Sequence, residues 1–161
     1  MEYIETIDSD GVGCFLCDYA VTPDADEANL VLWRGERAYC LLNRFPYTGG
    51  HCLIAPYEHI GELSAVDPAT MAEMMAMTQD LEQCLRKAIG AEGFNVGINL
   101  GRCAGAGLPG HIHIHIVPRW SGDTNFMSTL GGVRVVPEFL LTTRTKILTA
   151  AAALGLGQPG Q

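Results

Sequence analysis

The sequence predicts an α+β fold, in which a mainly antiparallel sheet of about five strands carries one long helix and a C-terminal helix. Three observations support this class: short apolar runs of strand length between residues 29 and 56, one long segment with helical spacing, and an alternating histidine–isoleucine run. With 161 residues, of which 48% are hydrophobic and 17% charged, the chain is expected to form a single domain, residues 1–161, around one core.

The strands follow from short apolar runs that are separated by turn residues. LVLWR and AYCLLN flank a Gly35-Glu36 turn and predict a hairpin, and HCLIAP predicts a third strand that ends at Pro56. FNVGINL predicts the fourth strand and HIHIHIVP the fifth, with the glycine-rich loop GRCAGAGLPG between them. The first 28 residues show no comparable pattern, so we expect them to be irregular.

The long helix has clear signals at both ends. Asp67 is a suitable N-cap, Pro68 suits the first helical position, and Gly90 predicts the stop. Its apolar residues recur at helical spacing and include Met71, Met74, Met75, Leu81, Leu85 and Ile89. We interpret this methionine-rich face as core or dimer-interface packing, with a cofactor-binding or peptide-binding role as the alternative. A final helix is expected from near Pro137 to about Leu154, before a flexible tail over residues 155–161.

Charge and cysteine usage limit the function classes. The formal net charge of −8 at pH 7 argues against nucleic-acid or anionic-membrane binding but leaves a small anionic substrate open. No apolar stretch approaches the roughly 18 residues that span a bilayer, and MEYIETIDSD lacks the order of a signal peptide. We therefore expect a cytoplasmic protein with reduced cysteines, of which Cys40, Cys52 and Cys84 act as small buried hydrophobes.

Three of the five histidines lie in HIHIHIVP. In a continuous strand His111, His113 and His115 share one face, and the alternating isoleucines pack into the core and fix the register. The outer two histidines are then about 13 Å apart, which is too far for all three to bind one ion. We therefore expect them to perform different tasks.

HIHIHIVP resembles the signature of the histidine triad family: histidine, apolar, histidine, apolar, histidine and two apolar residues. Its flanks, in NLGRCAGAGLPGHIHIHIVPRWSGDTNFM, resemble the prokaryotic branch related to diadenosine polyphosphate hydrolases and phosphorylases, and NRFPYTGGHCLIAPYEHIGEL resembles a second conserved block. The likeness covers residues from about 14 to about 150. It implies nucleotidyl transfer on dinucleoside polyphosphates, with diadenosine tetraphosphate as the expected substrate, by hydrolysis or phosphorolysis.

The resemblance assigns the nucleophile to His113, which attacks the α-phosphorus and forms a covalent nucleotidyl-imidazole. A neutral imidazole suits this step because it is available near pH 7 without an activating base. Its second nitrogen needs a partner that fixes the tautomer, and we expect a backbone carbonyl, with the AGAGLPG loop as the candidate source.

The resemblance also implies contacts to the nucleotide from a set of residues around this nucleophile: His115, Asn99, His51 and Asn43. Gly105 and Gly107 precede the triad, where their backbone amides are expected to form an anion-binding nest, with a flexible turn as the alternative. Arg119 is expected either to contact distal phosphates or to pair with a surface carboxylate. Many eukaryotic relatives carry Gln or Ser shortly before the first histidine, where this chain has Gly107 and Leu108; this departure from the family pattern argues against simple hydrolysis and keeps phosphorolysis open.

GCFLC places Cys14 and Cys17 at the spacing of a zinc half-site. A thioredoxin-like redox motif is the alternative, but it needs a strand before and a helix after the pair, and neither is evident. The resemblance supplies His59, from PYEH, and His111 as the remaining ligands of a closed, structural zinc site. With His111 bound to zinc, His113 is then free to act as the nucleophile.

Two other functions remain open at this stage. One is a nucleoside phosphoramidase of the same family, and the other is a nucleotide-binding or zinc-stabilised interaction module without turnover. The resemblance further implies a homodimer, for which the helix face from Met71 to Ile89 is the expected contact.

Overall fold

The computed structural model of the protein describes residues 13–123 and 139–157. Five antiparallel strands form one sheet in the order β1-β2-β3-β5-β4. Their bounds are Val31–Arg34 for β1, Ala38–Leu42 for β2, Cys52–Pro56 for β3, Gly93–Ile98 for β4 and Ile114–Arg119 for β5. The predicted α+β class and the five-stranded antiparallel sheet are confirmed.

Three α-helices accompany the sheet within these residues: α1 at Phe15–Ala20, α2 at Pro68–Ile89 and α3 at Leu140–Leu154. The Asp67 carboxylate accepts hydrogen bonds from the backbone N–H groups of Ala69 and Thr70, and Gly90 ends α2 at a φ of 64°. Pro137, near which the last helix was expected to begin, lies outside the described residues. None of the described helices is long and apolar enough to cross a bilayer.

The expectation that the first 28 residues are irregular was wrong in part. The segment after Cys14 forms α1, and Pro23–Ala25 form a short 3-10 helix. A helix of six residues is too short to show a periodic apolar pattern in sequence, and α1 forms because buried Leu16 packs against the sheet.

One face of the sheet carries α2 and α3, and the opposite face is covered over β1–β3. On one face α2 packs its apolar residues over the central strands, and α3 contributes Ile147 and Ala151 to the same cluster. On the other face the N-terminal segment and Leu108 pack against the alternate residues of β1–β3. Cys40, Cys52 and Cys84 are free thiols buried in the core, as predicted.

The methionine-rich face of α2 belongs to this core. Met74 and Met77 are buried within the single chain, while Met75 is 44% exposed. The core interpretation of this face is confirmed for Met74 and Met77, and its use as a dimer contact stays a prediction. The homodimer itself stays a prediction.

The histidine run is not one continuous strand. β5 begins at Ile114, and its pairing with both neighbouring strands ends there. The backbone N–H of Ile112 instead donates to the carbonyl of Ile60, 2.6 Å away. The expectation that all three histidines share one strand face was therefore wrong, because a contact outside the sheet turns the chain before Ile114.

Candidate active site and metal centre

His113 lies immediately before β5 and is only 8% exposed. Its Nδ1 atom is 2.8 Å from the backbone carbonyl oxygen of His111, so Nδ1–H donates and Nε2 is left unprotonated. Burial lowers the pKa of His113 below its usual range and keeps the ring neutral. A backbone carbonyl does fix the tautomer, but it comes from His111 and not from the AGAGLPG loop.

His51 fixes the tautomer of His115 through a hydrogen bond between the two rings. The backbone N–H of Tyr47 donates to Nδ1 of His51 across 3.1 Å, which places the proton of His51 on Nε2. That Nε2 lies 3.0 Å from Nδ1 of His115 and donates to it. The proton of His115 is then on Nε2, where the ring presents an N–H donor. Burial lowers the pKa of His115 to about 4, so this ring is neutral at pH 7.

The two asparagines predicted for the site adjoin these rings. The side-chain amide of Asn43 lies 3.3 Å from Nδ1 of His51, and that of Asn99 lies 3.5 Å from Nε2 of His115. The nearer amide atom is Nδ2, so an N–H on Nε2 of His115 requires the flipped orientation of this amide, with Oδ1 toward the ring. The rings of His113 and His115 meet edge to face with centroids 4.8 Å apart. The fold thus brings His51, Asn43 and Asn99 together around His113 and His115.

A cleft of about 420 Å³ opens beside His115. Most of its lining comes from the last two strands and their ends: Asn95, Val96, Gly97, Asn99, His115, Val117 and Arg119. Tyr47 and Thr48 line it from the loop before β3. His113 is not part of this lining, so the cleft leads away from the nucleophile.

Arg119 and the two glycines are not brought against the histidines. The Arg119 guanidinium forms a bidentate pair with Asp123, with N–O distances of 2.6 and 2.7 Å, and donates to Asn95. Gly105 has a left-handed φ of 87°, and within the described residues no hydrogen bond joins Gly105 or Gly107 to a histidine. Of the two expectations for Arg119, the geometry favours pairing with a carboxylate.

A second cluster lies on the side of the sheet that carries α1. Ligand atoms of Cys14, Cys17, His59 and His111 all lie within 4.8 Å of one another. The Cys14 and Cys17 sulfurs are 3.3 and 3.4 Å from Nδ1 of His111, and the Cys17 sulfur is 3.3 Å from Nδ1 of His59. A tetrahedral zinc with ordinary bond lengths requires sulfur–nitrogen separations of about 3.5 Å. The four residues therefore fit a metal ion.

The surroundings of this cluster also suit a cation. Nε2 of His111 donates to the Pro56 carbonyl at 2.9 Å, which leaves Nδ1 as the ligand atom. Burial lowers the pKa of His111 to about 4, which favours the neutral, ligating form. Burial and the neighbouring Cys14 raise the pKa of Cys17 to about 11, which disfavours its thiolate. A divalent cation bound between the two sulfurs would stabilise that thiolate and lower the pKa again.

Gly110 fits closely against this cluster. A Cβ atom at Gly110 would lie 3.3 Å from Nε2 of His59, a buried atom that has no hydrogen-bond partner among the described residues. The last glycine of the loop therefore lets the backbone approach His59, which is a packing role.

Sequence reasoning missed most of the cleft lining. Tyr47, Asn95 and Gly97 received no role, although Asn95, Gly97 and Asn99 alternate in FNVGINL. Such an alternation of polar and small residues is the signal for a strand face that does not pack into the core.

A model of the HIT domain family matches residues 25–122 of the chain. The chain belongs to the HIT domain family. The matched residues include the histidine run, residues 111–118. Solved structures that are similar to the chain share its fold. A Zn-bound histidine triad family protein from Mycobacterium smegmatis superposes with a TM-score of 0.72 at 27% identity, covering 90% of this chain and 97% of that one.

Two curated relatives carry names that describe an activity. The AP-4-A phosphorylase of Mycobacterium tuberculosis is 42% identical over 125 residues, which cover 78% of this chain and 64% of the relative. The asymmetrical bis(5'-nucleosyl)-tetraphosphatase of Schizosaccharomyces pombe is 29% identical over 93 residues, which cover 58% of this chain and 50% of the relative. This HIT domain chain thus spans between half and two thirds of the length of these relatives.

Proposed function

We propose that this HIT domain protein is an enzyme that splits dinucleoside polyphosphates, with diadenosine tetraphosphate as substrate, through a nucleotidyl intermediate on His113. The observation that carries the proposal is the pairing of an unprotonated Nε2 on buried His113 with a neutral N–H donor on the adjacent His115. Binding alone does not require an imidazole whose lone pair is fixed in this way. The names of the two relatives support the substrate class.

In the first step Nε2 of His113 attacks the α-phosphorus of the substrate. A phosphorus–nitrogen bond forms, the bond from that phosphorus to the bridging oxygen breaks, and the oxygen leaves with the electron pair as ATP. The N–H of His115 donates a hydrogen bond to a phosphate oxygen as negative charge develops there. Asn99, His51 and Asn43 hold the donor and the nucleotide in place.

The low pKa of His115 separates this proposal from the phosphoramidase alternative. ATP is a stable anion and leaves without a proton, whereas an amine leaving group must be protonated as its bond to phosphorus breaks. Since His115 has a pKa of about 4, it is a hydrogen-bond donor at pH 7 and a poor source of a transferable proton. The low pKa of His115 therefore favours a polyphosphate leaving group.

We propose phosphorolysis for the second step. Inorganic phosphate attacks the nucleotidyl phosphorus, the phosphorus–nitrogen bond breaks, and ADP leaves while His113 regains its free Nε2. Support comes from the AP-4-A phosphorylase, which is the more similar of the two relatives above. Gly107 and Leu108, at the positions where many eukaryotic relatives carry Gln or Ser, are consistent with a different second acceptor.

The test is product analysis with diadenosine tetraphosphate, with and without ³²P-labelled inorganic phosphate. Phosphorolysis yields ATP and ADP only when phosphate is present, with the label in the ADP. AMP and ATP without phosphate would establish hydrolysis and contradict the second step. No cleavage under either condition, together with cleavage of an adenylyl-amine conjugate, would overturn the proposal in favour of a phosphoramidase.

We further propose that Cys14, Cys17, His59 and His111 hold a structural zinc. The donor set of two sulfurs and two imidazole nitrogens and the separations near 3.3 Å support zinc over harder cations. Bound there, the ion would cross-link the N-terminal segment, the chain after β3 and the start of the histidine run. His111 would then be fixed on both ring nitrogens, and its carbonyl would hold His113.

We also propose that the protein is a cytoplasmic homodimer. The free thiols support a reducing compartment. β4 is an edge strand in which Val96 is 49% exposed, and an exposed edge of this kind supports pairing between two copies. Size-exclusion chromatography coupled to light scattering measures the molar mass in solution, and the mass of a single chain would contradict the proposed dimer.

A further inference from the structure

Most of the cleft beside His115 has no role in the proposed chemistry, which uses only His115 and Asn99 of its lining. Its lining follows β5 from His115 through Val117 to Arg119, a span of roughly 13 Å. Its volume of about 420 Å³ lies within the range of roughly 300–1,000 Å³ for small-molecule sites. The cleft is therefore large enough for a further part of the substrate.

Gly97 leaves the β4 side of the cleft without a side chain opposite His115. Gly97 pairs with His115 across the ladder, and a Cβ atom on Gly97 would meet nothing within 4 Å. Asn95, opposite Val117, is exposed and faces the same side as Gly97. The strand face beside the catalytic residues is thus open and not part of the core.

The electrostatics of the far end disfavour a terminal phosphate there. Among the described lining residues Arg119 carries the only formal charge, and Asp123 neutralises it through a bidentate pair. A terminal phosphate would bring about two negative charges to this neutral end, in a protein whose net charge is −8. An uncharged sugar and base fit better.

The lining offers the contacts that a nucleoside base uses. Tyr47 presents an aromatic ring that is 48% exposed and is held by stacking on His51, with centroids 4.7 Å apart. The amide oxygen of Asn95 accepts from Arg119, so the NH₂ group of Asn95 is the part that can donate to a ring nitrogen or sugar oxygen. Val117 supplies an apolar floor between them.

We propose that this cleft binds the second nucleoside of the dinucleoside polyphosphate, the one that departs with the leaving group. The inference rests on the proposed function, in which the first nucleotide is bonded to His113 and lies against Asn43. Neither His113 nor Asn43 lines the cleft, so the cleft is left for atoms farther along the substrate. The phosphate chain passes His115 and Asn99, and the second nucleoside lies between Tyr47, Asn95 and Val117. The cleft thereby selects dinucleoside polyphosphates over nucleotides that end in a phosphate.

The test compares two substrates that carry four phosphates each: diadenosine tetraphosphate, and adenosine 5′-tetraphosphate, which lacks the second nucleoside. The wild-type protein is expected to have a kcat/KM for the dinucleoside that is roughly tenfold higher or more, the value of one stacked base. Val117→Phe, which fills the cleft, lowers this ratio to near one. Asn95→Ala, which removes the polar contact and leaves the strand exposed as before, lowers it by roughly two- to tenfold.

Asn29→Ala is the matched control, because Asn29 lies in the loop before β1, outside the cleft, where it donates to Thr22. Its substrate ratio is expected to equal that of the wild type. A ratio near one in the wild type, or equal losses on both substrates in Val117→Phe and Asn95→Ala, overturns the cleft assignment while the proposed activity stands. If the wild type cleaves neither substrate, the proposed function fails and this inference fails with it.

Discussion

The Nε2 atom of His51 lies 3.0 Å from Nδ1 of His115, although 64 positions separate the two residues in the chain. This contact determines the tautomer of His115. The backbone N–H of Tyr47 donates to Nδ1 of His51, so the proton of His51 is on Nε2 and is donated to Nδ1 of His115. His51 therefore acts through His115, as a positioning residue for the donor at the site.

The first prediction concerns this contact. His51→Ala is expected to lower kcat by about 10- to 100-fold, because His115 is then free to adopt the tautomer that presents no N–H to the substrate. His51→Gln should recover a large part of the loss, since its side-chain N–H can donate to Nδ1 of His115. Steady-state kinetics on diadenosine tetraphosphate measure both variants. Equal losses in Ala and Gln would show that His51 only fills space.

The second prediction concerns the nucleophile. His113→Ala should abolish turnover, a loss of at least about 10³-fold, while nucleotide binding measured by calorimetry stays within a few-fold of the wild type. Acid-quenched wild-type protein should carry one adenylyl group per chain by mass spectrometry, and the variant should carry none. A fully active variant would rule out the His113 mechanism.

The third prediction concerns pH and stability. His115 has a pKa of about 4 in the folded protein against an ordinary value of 6.5, so between these values the unfolded chain binds a proton that the folded chain does not. The stabilisation from the neutral ring is thus fully present above pH 6.5 and is lost as pH falls from 6.5 to 4. The difference in unfolding free energy between wild type and His115→Gln should shift across this window in favour of the variant. A difference that stays constant from pH 7 to pH 4 would contradict the shifted pKa.

The fourth prediction concerns the metal. Protein purified without chelator should contain one zinc per chain by elemental analysis, and Cys17→Ser should lose most of it. At free zinc 1,000-fold above its dissociation constant the ion contributes about 4 kcal/mol to the free energy of unfolding, so the variant should melt well below the wild type. Cys103→Ser is the matched control, because Cys103 is exposed and outside the cluster. Far less than one zinc per wild-type chain would remove the site.

The fifth prediction concerns the β1–β2 hairpin. The carboxylate of Glu73, on α2, accepts hydrogen bonds from the backbone N–H groups of Arg37 and Ala38 at 3.0 to 3.2 Å. Glu73→Ala should lower the free energy of unfolding by about 1–3 kcal/mol, because these amides lose a charged acceptor. Denaturant unfolding measures the change.

A second, partly exposed glutamate on the same helix provides the control. Glu82 forms an ion pair with Arg86 one turn away, and Glu82→Ala should change the free energy of unfolding by no more than about 0.5 kcal/mol. Equal losses in the two variants would show that the hairpin contact contributes nothing beyond helix propensity.

Local patterns in the sequence determined the elements of this protein. The helix signals at Asp67, Pro68 and Gly90 place α2 within one residue at each end, and the apolar runs place the five strands, because caps and alternation depend on neighbours a few positions apart. The nucleophile and the metal ligands were predicted from the resemblance of the histidine run, GCFLC and PYEH to the histidine triad family, and they stay predictions.

Tertiary structure decided the relationships among these residues. The Ile112–Ile60 hydrogen bond turns the chain before β5, so His111 lies with Cys14, Cys17 and His59 and its carbonyl fixes His113. The cleft depends on Gly97 lying opposite His115. These contacts join segments that are far apart in the chain. Their geometry depends on which hydrogen-bonding groups remain to pair with one another once the core is packed. A local period in the sequence does not contain that information.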